Sequence, residues 1–371
     1  MGKDLVEKSK SAQEVYERAS SVLGYDISEL SFNDKRNEIN LTKFTQPVLM
    51  THQIACYEYF SELSDNDPNP MLLAGHSLGE YTALVISGSI SFEEGLELVS
   101  ERGRLMSELG SGSMLAMPFM KEETENIINQ SNCEVATVNQ MKQTVVGGSD
   151  EDIAELENKL LKDYPRKKSI KLKTEGAFHT SLMMKAADEF KECLVETEFK
   201  EMNAPVLSNF SSEPHNIDGS KSQELLYNQL FKPVNWLGCM QTASRMEIEI
   251  IIEFGGGIGE GTSPNEKRPN LEGITKKVKL KDTGFPQLAS SDIIKHKVLM
   301  EYGTPKEFDG VWHIYEDNMS TYKVRELDER NIKVELKSLK VVDKLEKAID
   351  DTYSKQGIEY KKRLMVQGID I

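Results

Sequence analysis

Along the first part of the chain the apolar positions fall at helical spacing. They predict a helix over roughly 9–24 and another over Thr42–Phe60, with Pro47 near its first turn, where proline is tolerated. The polar run SDNDPNP then breaks the pattern. After it, Met71–Ala74 reads as a short apolar strand, Gly75–Gly79 as a turn, and Glu80–Ile86 as the start of a helix. From Met114 the pattern changes. MLAMPF reads as a strand, Glu122–Gln130 as a helix, CEVATV and QTVVGG as two strands, Ser149–Asp163 as a helix capped by Ser149, and KKSIKLK as an alternating strand. The order β-α-β-β-α-β is that of a ferredoxin-like unit, read here as an insertion over 113–175. α/β character then resumes, with a helix over Met184–Thr197 and strands at PVLSNF and EIEIIIEF. Beyond about 280 the pattern weakens; WHIYE and IKVEL read as strands and Val341–Tyr353 as a helix.

This division gives an α/β domain over 1–112 and 176–280, the insertion over 113–175, and an unassigned extension over 281–371. A chain of 371 residues is long enough to bury a large core in such an arrangement. Its net charge of −16 argues against nucleic acid or an anionic membrane surface as a partner of the whole chain. Cys56, Cys133, Cys193 and Cys239 form no C-x-x-C pair, and MGKDLVEKSK has no apolar core of a signal peptide, so a cytoplasmic protein with reduced thiols is expected. No apolar run is long enough to span a bilayer.

The chemistry begins at Gly75-His76-Ser77-Leu78-Gly79. G-x-S-x-G between a strand and a helix places a serine on a sharp turn with its Oγ exposed, and the next N–H, that of Leu78, is available to an oxyanion. Ser77 is therefore the candidate nucleophile and needs a base. Of the six histidines, His76 is adjacent, and a neighbour on a tight turn points away. His179 lies where the insertion returns to the larger domain, a place where clefts form; spacing alone prefers it only mildly over the other four. On the helix 92–108, Arg102 shares a face with Gly95, Val99 and Met106, whereas Arg104 lies near Glu97, Glu101 and Glu108. Arg102 thus points inward and needs an anionic partner, either a substrate carboxylate or an internal one; the helix pattern leaves both open.

AGHSLGEYTAL, ERGRLM, GAFHTSLM, PVLSNF and KPVNW, in this order and spacing, resemble the malonyl-CoA:acyl carrier protein transacylases, over about residues 1–280. The resemblance implies an α/β-hydrolase-like large domain carrying a ferredoxin-like small one. It implies Ser77 as nucleophile, His179 as base, the Leu78 N–H as an oxyanion donor and the Asn235 carbonyl as the group orienting His179. It implies Arg102 as the grip on the malonyl carboxylate, and Phe178, in the triplet A-F-H, as a side chain favouring malonyl over methylmalonyl groups. The expected activity is ping-pong malonyl transfer from malonyl-CoA to the phosphopantetheine thiol of an acyl carrier protein, with no cofactor and no metal. Lys159, Lys162, Arg166, Lys167, Lys168, Lys171 and Lys173 form the densest basic cluster, which reads as a solvated face or, alternatively, as a carrier-docking face.

The chain departs from the family at two places. The family's N-terminal GQGSQ segment, whose glutamine N–H supplies a second oxyanion donor, precedes the point where this sequence starts. One oxyanion donor is therefore expected, a difference of about 2.7–4 kcal/mol of transition-state stabilisation. Glu253-Phe254-Gly255-Gly256-Gly257 replaces the family's EIGPG and reads as a loop insertion; it lacks the Lys-Ser/Thr of a phosphate-binding loop. Two other functions stay open: a serine esterase or thioesterase of α/β-hydrolase type, and a truncated, non-catalytic carrier-docking protein.

Overall fold

The computed structural model describes residues 1–63, 69–248, 251–255 and 271–275 and the strand segments 288–290, 307–308, 313–316, 320–328 and 331–339. These residues divide into two compact units, one within Met1–Ala55, Asn69–Ile248 and Gly273–Phe285, the other within Cys56–Pro68, Glu249–Glu272 and Pro286–Ile371. The sequence-based division into domains follows different boundaries.

In the first unit, α1 (Lys3–Val6), α2 (Lys10–Leu23) and α3 (Ile27–Phe32) lead into the first part of α4 (Thr42–Leu63, of which Cys56 onward falls in the second unit), α5 (Leu78–Ile86) and α6 (Phe92–Leu109). α2 has the ends its sequence calls for: the Ser9 side chain accepts from the Ala12 N–H, and Gly24 turns left-handed at φ 72°. α6 opens with a reciprocal capping box between Ser91 and Glu94. A side chain at Gly103 would meet the Thr42 carbonyl at 2.9 Å, so the start of α4 packs close against α6.

The insertion follows as β1 (Ser113–Met117), α7 (Lys121–Ile128), β2 (Glu134–Gln140), β3 (Gln143–Gly148), α8 (Asp150–Asp163) and β4 (Ile170–Lys171). Its antiparallel sheet has the order β2-β3-β1-β4, which is the ferredoxin-like arrangement. Alternation along β1 gives the sheet two apolar faces. Leu115 and Met117 pack with Ile127, Ile128, Ile153 and Leu156 from the two helices. Met114 and Ala116, with Ala136 and Val145, take Leu172 and Phe178 on the other face. That second face brings the segment carrying His179 against the sheet. The inserted unit is tied to the rest by a parallel bridge between Thr137 and Val234.

α9 (Met184–Glu196), α10 (Ser222–Phe231) and α11 (Trp236–Arg245) complete this unit. Three expected strands are shorter than their sequences suggest. Met71–Ala74 and PVLSNF meet only as a parallel bridge between Leu73 and Val206, and KKSIKLK pairs only at Ile170–Lys171. In the second unit, β5 (Ile251–Glu253) runs parallel to β6 (Leu288–Ser290), and β7 (Glu307–Phe308), β8 (His313–Glu316), β9 (Ser320–Asp328) and β10 (Asn331–Leu339) form an antiparallel sheet in sequence order. WHIYE and IKVEL thus contribute to strands, while the helix expected over Val341–Tyr353 and most of the Gly255-Gly256-Gly257 loop lie outside the described residues. Among the described residues no helix is long and apolar enough to cross a membrane.

Candidate active site

The turn before α5 is built around contact between its two ends. A Cβ at Gly75 would fall 1.9 Å from the Gly79 backbone, so no side chain fits there. Ser77 sits at φ 53°, ψ −106°, a conformation a non-glycine residue adopts only when its surroundings impose it. Asn209 supplies that imposition: its Oδ1 accepts from the Ser77 N–H at 2.5 Å, and its Nδ2 donates to the Gly75 carbonyl at 2.7 Å. Leu78 is the first residue of α5, so by position its N–H is one of the helix's unsatisfied donors.

His179 reaches the serine from the segment that leaves the inserted sheet. It is buried, also at positive φ (62°), and its Nε2 lies 2.8 Å from Ser77 Oγ. On the far side of the ring, Nδ1 lies 2.7 Å from the Gln229 carbonyl. A carbonyl only accepts, so the proton is on Nδ1 and the Nε2 lone pair faces the serine hydroxyl. Burial pushes His179 down to about 3, with the Arg102 charge and His76 acting the same way and the Gln229 carbonyl opposing. The imidazole is therefore neutral at physiological pH.

The Gln229 carbonyl replaces the expected one. Asn235 does not orient His179; it caps α11, its side chain accepting from the Gly238 N–H at 3.0 Å and its carbonyl from the Cys239 N–H at 3.0 Å. The reason lies four residues beyond Gln229. Gln229 is in the last turn of α10, and position 233 is a proline, which has no N–H to offer the Gln229 carbonyl. That carbonyl is left for the histidine. Asn235→Ala is accordingly expected to cost about 1 kcal/mol of stability through its lost cap, seen as a lower melting temperature, with kcat essentially unchanged.

Arg102 is 1% exposed and shares its buried face with Gly95, Val99 and Met106, as the helix pattern predicts. Arg104 is paired with Glu101 and Glu108 on the outer side. The Arg102 guanidinium donates to Gln46 Oε1 at 2.6 Å, Gln229 Oε1 at 3.1 Å and Ser77 Oγ at 3.1 Å, and its CZ lies 5.4 Å from the centre of the Tyr81 ring. Its Nε has no hydrogen-bond partner among the described residues. Burial pushes the guanidinium down from its ordinary value, and Tyr81 and Glu80 oppose that. A buried cation whose hydrogen-bond acceptors among the described residues are all neutral, one of them the candidate nucleophile Ser77, can receive an anion beside that serine.

His76 turns away from the serine, as its place on the turn requires: Nε2 meets Asn139 Oδ1 at 2.9 Å and the ring lies 5.7 Å from that of Trp236. Phe178 is half-buried against Met114, Ala116, Ala136 and Val145. The basic cluster of the insertion is exposed; within it Lys159 donates to the Ile127 carbonyl and Lys171 lies 3.9 Å from Asp150.

The structure thus brings Ser77, Leu78, His179 and Arg102 together. It adds Gln46, Asn209 and Gln229, and removes Asn235. The missed residues all act across fifty or more positions of sequence, and only Pro233 leaves a local sign of one of them.

Known proteins resemble this chain over much of its length. The family described as acyl transferase domain matches residues 1–253. The malonyl CoA-acyl carrier protein transacylase of Bacillus subtilis is 34% identical over 266 residues, covering 69% of this chain and 82% of that protein. The polyketide biosynthesis malonyl CoA-acyl carrier protein transacylase PksC of the same organism is 31% identical over 256 residues, covering 67% of this chain and 86% of PksC. The crystal structure of malonyl CoA-acyl carrier protein transacylase from Clostridium perfringens superimposes with a TM-score of 0.68 at 29% identity, covering 78% of this chain and 88% of that one. On the extent of the family match and the identity to full-length relatives, this chain belongs to the acyl transferase family.

Proposed function

We propose that the protein transfers a malonyl group from malonyl-CoA to the phosphopantetheine thiol of an acyl carrier protein, in fatty-acid or polyketide biosynthesis. The observation that carries this is the contact of Ser77 Oγ with both His179 Nε2, at 2.8 Å, and Arg102 Nη2, at 3.1 Å. In a malonyl thioester one methylene separates the carboxylate from the reacting carbonyl. A guanidinium that holds the carboxylate must therefore lie a few ångströms from the nucleophile, as Arg102 does. The relatives carry malonyl CoA-acyl carrier protein transacylase in their names, which supports the same reading.

In this mechanism the neutral His179 takes the Ser77 proton as Oγ attacks the thioester carbonyl. The oxyanion forms within reach of the Leu78 N–H. The C–S bond breaks, His179 returns the proton to the departing CoA thiolate, and malonate remains esterified to Ser77. The carrier thiol then gives its proton to His179 and attacks the ester, and Ser77 leaves with that proton. Arg102 holds the acyl carboxylate through both halves, and Phe178 crowds a branch at the acyl α-carbon. The reaction needs no cofactor, malonyl-CoA being a substrate. The chain works in the cytoplasm, and residues 113–175 form an inserted module of the larger domain.

The test is to incubate the protein with malonyl-CoA and a phosphopantetheinylated carrier protein and to weigh the carrier by mass spectrometry. One malonyl group on the carrier is expected. Free malonate with no carrier product favours a hydrolase, and neither product overturns the reading.

A further inference from the structure

Glu80, on α5, is a fully buried carboxylate that the transfer reaction does not use. Its Oε2 accepts from the Asn209 N–H at 2.9 Å and from Gln229 Nε2 at 3.1 Å, and its Oε1 lies 2.8 Å from His215 Nε2. Two N–H donors thus converge on one of its oxygens. The same Gln229 amide donates from Nε2 to the Ser77 carbonyl at 2.7 Å and accepts at Oε1 from Arg102 Nη2 at 3.1 Å. One side-chain amide therefore stands between a buried cation and a buried anion.

This placement has an electrostatic meaning. Arg102 in direct contact with a carboxylate would commit its planar fork to that partner, and an entering substrate carboxylate would have to displace it. Arg102 with no negative charge nearby would carry the full cost of a buried, uncompensated cation. A carboxylate one amide away lowers that cost and leaves the fork uncommitted. The hydrogen-bond acceptors of Arg102 are accordingly all uncharged: Gln46, Gln229 and Ser77.

We propose that Gln229 is a spacer that holds Glu80 as the counter-charge of Arg102 at one residue's remove, so that the guanidinium is stabilised in the fold yet open to the carboxylate of an anionic acyl group. The proposal rests on the reading of Arg102 as the holder of that carboxylate. It makes Glu80 and the Gln229 side chain positioning residues, separate from the role of the Gln229 carbonyl toward His179. It also explains why GHSLGE and PVLSNF meet in this fold: Asn209 and Glu80 share a bond behind the nucleophile.

Glu80→Gln tests it. The variant has the same shape, and its Oε1 can still accept from Asn209 and Gln229. Its new N–H₂ group faces His215 Nε2, which accepts when the ring proton sits on Nδ1 toward Ser222 Oγ, 3.0 Å away. The hydrogen bonds survive and the charge is lost. Thermal denaturation of the full chain is followed while malonate is titrated. The free variant is expected to melt below the wild type. Malonate is expected to raise its melting temperature by more than it raises that of the wild type, with a malonate Kd lower by roughly tenfold, because the competing negative charge is gone. A malonate Kd equal to or weaker than that of the wild type would show Glu80 to be only a brace, and would overturn the proposal. Should Glu80→Gln not fold, Gln229→Glu places a carboxylate directly on Arg102. It is expected to lose the malonate-induced shift; keeping it would count against the spacer.

Arg102→Ala separates the two levels of the argument. If it keeps the wild-type malonate shift, the assignment of Arg102 to the acyl carboxylate fails, and the spacer with it. If it loses the shift while Glu80→Gln binds malonate no more tightly, only the spacer fails.

Discussion

Ser77→Ala will leave no malonyl adduct on the protein after exposure to malonyl-CoA, and transfer to the carrier will fall by about 10⁴-fold or more. The wild type will gain one malonyl group, visible by intact mass. His179→Ala is expected to cost a similar amount, and the double variant no more than either single one, because nucleophile and base act as a unit. The 2.8 Å contact between Ser77 Oγ and His179 Nε2 is the physical basis of that non-additivity. The pH profile gives a finer check. Because burial holds His179 at about 3, the base stays deprotonated down to that pH in the free enzyme. An imidazole near its ordinary 6.5 would lose roughly thirty-fold of its basic form between pH 8 and pH 5. Here kcat/KM should show no histidine limb over that range. The Arg102 charge contributes to the depression, so a malonyl carboxylate that neutralises it will raise the histidine. The acid limb of kcat, which reports the bound enzyme, should therefore lie at higher pH than that of kcat/KM. Coincident limbs near 6.5 would contradict the neutral, buried base.

The parts of this site that could be read from the sequence are those with a local signature. G-x-S-x-G predicts a strained turn in which a glycine allows a close approach, and Gly75, whose Cβ would strike the Gly79 backbone, is that glycine; a Cβ at Gly79 itself would meet nothing within 4 Å. Arg102 could be oriented from its helix because its neighbours three and four residues away are apolar while those of Arg104 are acidic. The inserted β-α-β-β-α-β unit showed itself by a change of period, and its sheet has the expected strand order. His179 had no local signature and depended on the family resemblance. The side chains of Gln46, Asn209 and Gln229 had none either, because a glutamine or asparagine that is buried by tertiary contacts looks the same in sequence as one in solvent; only the Gln229 carbonyl has a local sign, in Pro233.

The error at Asn235 shows the limit of carrying a role across a motif. KPVNW does mark the place where a carbonyl is freed for the histidine, but the effective residue is Pro233, acting on the Gln229 carbonyl in the helix before it. The strands at Met71–Ala74 and PVLSNF failed for a different reason. The PVLSNF run is largely buried and Met71–Ala74 is exposed or half-buried, yet neither builds a ladder, because pairing depends on partners that only the folded chain supplies, and here the partnership is a single bridge at Leu73–Val206. That bridge leads directly into the two segments, Gly75–Ser77 and Ser208–Asn209, whose hydrogen bonds hold Ser77 in its strained conformation.

Arg102→Ala should lower kcat/KM for malonyl-CoA by about 10²–10³-fold, in the range found for truncating one partner of a buried charge pair. The loss should be selective. Acetyl-CoA has no carboxylate for Arg102 to hold, so its transfer should fall far less, and the ratio of malonyl to acetyl transfer should collapse. This selectivity separates a grip on the acyl carboxylate from a general structural role, because loss of the fold would depress both substrates alike. The fold will also feel the change. Gln46 Oε1 loses its 2.6 Å partner and Gln229 Oε1 its 3.1 Å one, so the melting temperature should be measured alongside. Arg102→Lys is not expected to restore the malonyl preference. An ammonium can reach one acceptor at a time in fixed geometry, whereas the guanidinium here spans Gln46, Gln229 and Ser77 from a single plane. Equal losses for malonyl- and acetyl-CoA in Arg102→Ala, with the melting temperature preserved, would remove Arg102 from acyl recognition.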